Sequence, residues 1–231
     1  MKVYAVGTSC TWFKRNNTSF IIDDKILFDT PSGSYKDIIK KIDIFKLDGI
    51  IISHFHADHF GDFQVFATRF MRESEKQGRT EKLKVFGPKG IVDKLIAINK
   101  LLFGAEDECN PDLFKSKIDF VEVENGDEFE LSGYKVKTYE VDHGRAYCLG
   151  FSFEDEREKL CHFQVIQENV ITCIKCLKNL MLRLLIWQRL FQQRHIWIVL
   201  GLLNFKRCIQ IVRCGQFIHQ MNVMNLQLIM V

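Results

Sequence analysis

The final 71 residues of this chain contain no aspartate, no proline and a single acid, Glu168. All three prolines (Pro31, Pro88, Pro111) and 12 of the 14 glycines lie in residues 1–160. So marked a change at about residue 160 is not the gradual drift between two domains, and each part is read separately. The chain also lacks an uninterrupted run of the ~18 apolar residues that a membrane span needs; Ile196–Leu203 is too short. No secretory core follows Met1, because Gly7 and polar residues come after only a few apolar positions, so no signal peptide is expected. Cys10, Cys109 and Cys148 show no framework spacing, which excludes a disulfide-stapled domain and leaves reduced thiols in a cytoplasmic setting as the expectation.

What is present is ordinary on average. The 231 residues are 47% hydrophobic and 26% charged, which excludes disordered, collagen-like and fibrous chains and allows one large or two small domains. The net charge of +3 conceals two opposite balances. Residues 1–160 hold 24 Lys and Arg against 28 acids, a net of −4, and residues 161–231 hold eight against one, a net of +7. The second part also has nine glutamines against two in the first, and five of the eight cysteines.

The first part reads as mixed strands and helices. Val3–Val6 is a short apolar run. Phe20–Asp23 and Lys25–Asp29 make a hairpin-like pair. Ile38, Ile39 and Ile42 give Ser34–Ile44 a helical face. Leu47–Ser53 reads as a buried strand, Phe63–Glu73 and Ile91–Phe103 as helices, and Lys82–Phe86, Ile118–Val123, Asp127–Leu131 and Tyr134–Val141 as strands.

The chemistry is concentrated in His54-Phe55-His56-Ala57-Asp58-His59, directly after the Leu47–Ser53 strand. In extended backbone alternate side chains share a face, so His54 and His56 can converge on one ion. Asp58 and His59 follow in the turn, within reach of a second. Zinc accepts such imidazole and carboxylate ligands and leaves a position open for water. A lone loop histidine is ordinarily a solvated side chain; three histidines and an aspartate within six positions are not explained that way.

His-x-His-x-Asp-His after a strand resembles the signature of the metallo-β-lactamase fold. Further segments resemble its ribonuclease Z-like branch: Val6-Gly7-Thr8-Ser9 with Arg15-Asn16-Asn17-Thr18-Ser19, then Leu27-Phe28-Asp29-Thr30, then Val85-Phe86-Gly87-Pro88-Lys89-Gly90. Tyr139-Glu140-Val141-Asp142-His143-Gly144 with Leu149-Gly150-Phe151 is similar to the segment that supplies the next ligating histidine. The resemblance covers residues 1–153 and implies an α+β chain, the αβ/βα sandwich of that fold, with only the N-terminal half native-like. It implies that His54, His56 and His143 bind a first zinc and that Asp58 and His59 bind a second, with Asp29 supporting the loop. Asp58 and His59 are the candidate catalytic residues, Asp58 also orienting or accepting a proton. In the intact family two Zn2+ ions would hold a hydroxide that attacks a phosphodiester or ester. The implied partner is a small phosphodiester or ester substrate, with RNA possible and no membrane. The net of −4 argues against a strong RNA grip, since nucleic-acid readers carry a basic footprint.

Beyond residue 160 the resemblance stops. It leads one to expect Ser-Gly-Asp-Thr soon after residue 155, then Thr/Ala-His-Met-Asp, then Pro-x-His-x-Ser, and none is present. All three emerge when the last base of each codon is read with the first two of the next. Phe163 to Gln167 then permit Ser-Gly-Asp-Thr. Arg194 to Ile198 permit Thr-His-Met-Asp, the aspartate being forced by the single tryptophan codon of Trp197. Gly215 to Gln220 permit Pro-Val-His-Thr-Ser, with a forced glutamate at Met221–Asn222. Residues 1–160 are therefore read as the native half and residues 161–231 as an out-of-frame tail with no native domain. Such a chain lacks the bridging carboxylate and the last histidine, so one zinc or none is expected, and the apolar face of its first sheet is expected to lack its partner.

The tail has three rival readings. Cys173 and Cys176 have zinc-ribbon or redox spacing but no matching second pair. A basic amphipathic helix across Leu177–Phe205 would suit a membrane surface or nucleic acid. A non-catalytic chain holding one metal, or a partner through the basic tail, is the alternative to a hydrolase.

Overall fold

The computed structural model describes residues 1–8, 16–104, 106–156, 160–166, 196–203 and 207–213. Strand β1 (Val3–Gly7) pairs with β2 (Ser19–Ile22), and β2 turns back into β3 (Ile26–Phe28). Asp23 and Asp24 make this turn with φ of 49° and 59°, the sign that a tight hairpin needs. Aspartate enters that region more readily than most residues because its short side chain bonds locally. The expected helix over Ser34–Ile44 is shorter, with α1 at Tyr35–Ile39 and a 3-10 turn at Ile44–Lys46. Asp43, in extended backbone, caps that 3-10 turn by accepting from the Phe45 N–H at 3.0 Å.

The chain continues through β4 (Gly49–Ile51), α2 (Ala57–Phe60), α3 (Phe63–Glu73), β5 (Leu83–Gly87), α4 (Ile91–Leu102), α5 (Glu106–Cys109), α6 (Pro111–Lys117) and β6 (Ile118–Glu122). Helix α6 lies where the sequence pattern indicates only a connection, although its start carries two legible signals. Asn110 caps it by accepting from Asp112 N–H, and Pro111 occupies the first turn, both standard for a helix start. Next come β7 (Glu128–Leu131), β8 (Tyr134–Val141), β9 (Cys148–Glu154), β10 (Leu160–Ile166), β11 (Ile196–Leu203) and β12 (Arg207–Arg213).

Among the described residues two six-stranded sheets result, ordered β1 to β6 and β12 to β7. Strands β3, β4, β5 and β6 are parallel neighbours, whereas the second sheet is antiparallel throughout. The central parallel strands β3 and β4 are buried on both faces, hence their unbroken apolar runs, whereas β5 and β6 expose Lys84, Asp119 and Glu122. Ile21, Leu27, Ile50, Ile52 and Val85 face Phe63, Phe66, Phe70, Leu95 and Phe114 of the helices. Phe20, Ile22, Ile26, Phe28, Ile51 and Phe86 point the other way, onto Val136, Leu149, Phe151, Phe153 and Phe163 of the second sheet. This corrects the expectation of an unpartnered apolar face: the partner surface comes chiefly from β8 and β9, which precede the change in composition, with Phe163 of β10 added. Among the described residues no helix follows α6. The Cys173/Cys176 pair, residues 177–195 of the apolar stretch and the shifted-frame site at Gly215–Asn222 lie outside the described residues.

Phe28 is the centre of the inter-sheet core, fully buried and in ring contact with Phe20, Phe151 and Phe163. Phe28→Ala is expected to lower unfolding free energy by about 3–5 kcal/mol, read from urea denaturation; a loss below about 1 kcal/mol would show that this packing is not realised.

Candidate metal centre

Strands β3 and β4 run parallel and end side by side, so the residues that follow them, Asp29 and Ser53, meet. Asp29 is fully buried with φ of 58°. Its Oδ1 accepts from Ser53 N–H at 2.8 Å, and its Oδ2 accepts from the Ser53 hydroxyl at 2.8 Å and lies 2.7 Å from His59 Nδ1. The loop after Asp29 is laced to the histidine loop by Thr30 N–H to the His59 carbonyl and Ser32 N–H to the Ala57 carbonyl. Asp62 adds two more ties, accepting from the Gly33 and Tyr35 N–H groups at 3.0 and 2.8 Å. Gly61 permits the close approach, because a Cβ there would stand 1.8 Å from Ser32 Oγ.

His54 is fully buried just beyond β4. His56, exposed and in extended backbone, precedes the single turn α2, which carries Asp58 and His59. His143 comes from the loop between β8 and β9. That loop is anchored near His54 by Leu149 N–H, which donates to the Ser53 carbonyl at 3.0 Å. The rings of His54, His56 and His143 lie with centroids 4.6 to 4.9 Å apart. One ligand atom from each falls within 4.8 Å of the others. His143 Nε2 is 3.1 Å from His56 Nδ1.

Of the five sequence-predicted ligands, the structure thus gathers three. The His59 ring lies tilted against that of His54, centroids 4.2 Å apart, with Nδ1 engaged by Asp29. Asp58 stands beside it, Oδ2 being 3.8 Å from His59 Nε2, and is not part of the three-histidine cluster. The expected turn at 58–59 is a helical turn.

The three histidines suit a divalent cation. His54 Nε2 is buried and has no hydrogen-bond partner among the described residues, an orphan acceptor or donor that folded proteins rarely leave. Burial, then the neighbouring His59, His143 and His56, push His54 well below the ordinary histidine range, so the ring is neutral, as a metal ligand must be. A cavity of about 380 Å³ bounded by Lys40, Lys41, Phe45 and Arg69 contains none of these residues.

Sequence reading missed Ser53 and Asp62. Ser53 is only the end of an apolar run, and Asp62 has no periodic or motif signal of its own. Among the described residues no helix is long and apolar enough to cross a membrane.

The family profile described as Beta-lactamase superfamily domain matches residues 26–190. A ribonuclease Z of Myxococcus xanthus (strain DK1622) is 30% identical over 135 residues, covering 58% of this chain and 40% of the relative. One from Ligilactobacillus salivarius (strain UCC118) is 34% identical over 133 residues, covering 56% and 38%. The chain spans less than half the length of these relatives. The metallo-beta-lactamase fold protein YhfI from Bacillus subtilis superposes with a TM-score of 0.51 at 17% identity, over 66% of this chain and 58% of that one. Human tRNase Z, short form, superposes with 0.50 at 19% identity, over 68% and 66%. These structural likenesses bear on the fold alone.

Proposed function

The chain belongs to the beta-lactamase superfamily, with the metallo-β-lactamase fold, and from that premise we propose that it derives from a ribonuclease Z-like, zinc-dependent hydrolase of phosphodiesters or esters. The observation that carries this reading is the buried His54 Nε2, without a hydrogen-bond partner among the described residues, within reach of His56 and His143. Those three would hold one zinc ion, and Asp58 with His59 would contribute to a second. When bound, such ions supply Lewis-acid polarisation and acidify water. The chain's own part is positional. Asp29 holds His59 through Nδ1 and the Asp62 and Ser32 ties hold the loop; Asp58, partly exposed beside His59, would orient or accept a proton. The substrate is a small phosphodiester or ester, or RNA, handled in a cytoplasmic setting.

We further read residues 161–231 as translated out of frame, so that this chain is an impaired member. The register of β10 supports this. With one base restored upstream of codon 160, the shifted codon that joins His162 to Phe163 becomes residue 163 and again encodes Phe or Leu. Position 163 is where a buried phenylalanine packs on Phe20, Phe28 and Phe153, so both frames satisfy the core there. Ser-Gly-Asp-Thr then occupies 164–167. Continuing the observed β10–β9 register (Phe163 opposite Phe151) brings the aspartate at position 166 opposite Cys148. Cys148 is the partner of Val141, two residues before His143. The restored carboxylate would thus fall at the edge of the sheet that bears the site.

The test is metal content of the purified chain by mass spectrometry, together with hydrolysis of bis(p-nitrophenyl) phosphate. At most one zinc per chain and little turnover are expected; two zinc ions with turnover would overturn the impaired reading. One bound metal, no turnover and a protease-resistant tail would favour a non-catalytic chain acting through its basic tail.

A further inference from the structure

We propose that Ser53 is a positioning residue that sets the tautomer of His54, and so decides which ring nitrogen that histidine offers to the metal site. The tautomer assignment stands on the hydrogen bonds around Ser53, taken for the neutral ring that a metal ligand must be; its consequence for metal affinity rests on the metal-site reading under Proposed function.

Every polar group of Ser53 is committed. Its N–H donates to Asp29 Oδ1 at 2.8 Å, and its carbonyl accepts from Leu149 N–H at 3.0 Å. Its hydroxyl lies 2.8 Å from Asp29 Oδ2 and 3.0 Å from His54 Nδ1. A hydroxyl has one proton to give, and the Ser53–Asp29 bond is directed from Oγ to Oδ2. The Ser53 hydroxyl therefore donates to Asp29, and the contact with His54 runs the other way, from Nδ1–H to Ser53 Oγ. A neutral imidazole has a single N–H, so its Nε2 carries a lone pair. That nitrogen is the one left buried without a hydrogen-bond partner among the described residues.

The same Asp29 oxygen faces His59 Nδ1 at 2.7 Å. One buried carboxylate thus orders two histidines, His59 directly and His54 through Ser53. The Leu149 bond also ties Ser53, the residue before His54, to β9, the strand that follows the His143 loop. Ser53 stands where ligands from the two sheets are brought into register. A metal-ligating histidine whose other nitrogen is so engaged has its ring orientation fixed, and loss of such a partner typically weakens metal binding about 10–100-fold.

The experiment compares the full chain with Ser53→Ala and Ser53→Thr. Long-range 1H–15N NMR of the metal-free proteins reads each tautomer, and zinc titration against a competing chelator reads affinity. In the unaltered chain both His54 and His59 are expected as Nδ1–H tautomers. In Ser53→Ala, His54 is expected to lose the Nδ1–H signature while His59 keeps it, and zinc affinity to fall about 10–100-fold. Ser53→Thr, which retains the hydroxyl, is expected to restore both readouts. Persistence of the His54 Nδ1–H tautomer in Ser53→Ala overturns the proposal. So does simultaneous loss of both histidine signatures, which would mean a disordered pocket and not a relay. A tautomer change in His54 with unaltered zinc affinity upholds the relay and counts instead against the metal-site reading.

Discussion

A gene given one additional base between the codons of Glu158 and Leu160 is expected to yield a chain that binds two zinc ions and hydrolyses bis(p-nitrophenyl) phosphate at least about 100-fold faster than the chain as it stands. The physical reason is ligand count. Zinc sites use three or four protein ligands. On the proposed assignment His54, His56 and His143 would supply three for one ion, whereas Asp58 and His59 would supply two for the other. A carboxylate at position 166, opposite Cys148 when the observed sheet register is continued, adds the missing anionic ligand at the site's edge. On the out-of-frame reading, the restored chain is also expected to be more soluble and to unfold at higher temperature, because a basic tail with a single acid, Glu168, gives way to the native continuation of the fold. Metal analysis and a thermal scan of both chains decide the matter. Equal metal content and equal melting in the two would refute the out-of-frame reading.

The second large effect is at Asp29. Asp29→Ala removes the acceptor for Ser53 N–H, the Ser53 hydroxyl and His59 Nδ1, all buried. Each buried group left unsatisfied costs about 1–3 kcal/mol, so a loss of about 3 kcal/mol or more is expected in urea unfolding of the metal-free chain. Zinc affinity is expected to fall by about 10–100-fold or more, since two histidines lose their orientation. Asp29 also has φ of 58°, where alanine is strained and glycine is not. Asp29→Gly separates the two causes. It is expected to recover part of the stability, by about 1 kcal/mol, and none of the affinity. Full recovery of affinity in the glycine variant would mean that the carboxylate does not orient the histidines.

Much of the first half was legible because its signals are local. Helix α3 occupies Phe63–Glu73 and strand β8 Tyr134–Val141, the bounds their periodicity indicates. The alternation of Phe20, Ile21 and Ile22 is a period-2 pattern, although it does not say which face meets the helices and which the second sheet. Two departures from expectation lie beside a capping side chain: Asp43 starts the 3-10 turn that follows the shortened first helix, and Asn110 with Pro111 starts a helix in what read as a connection. In the site, His54, His56, Asp58 and His59 stood out because they are crowded into six positions. Ser53 and Asp62 did not, because a serine or aspartate after an apolar run has no pattern until its partner is located.

By itself the sequence determined the secondary-structure periods, the dense ligand motif and the break in composition near residue 160, all properties of neighbours along the chain. The tertiary structure decided what meets across long separations. Parallel pairing of β3 with β4 set Asp29 against Ser53 and His59, and packing of the second sheet on the first brought His143 to His54. Ligation and buried hydrogen bonds act over only a few ångströms, and distances that short between remote residues are settled by strand order and register. Spacing along the chain encodes neither.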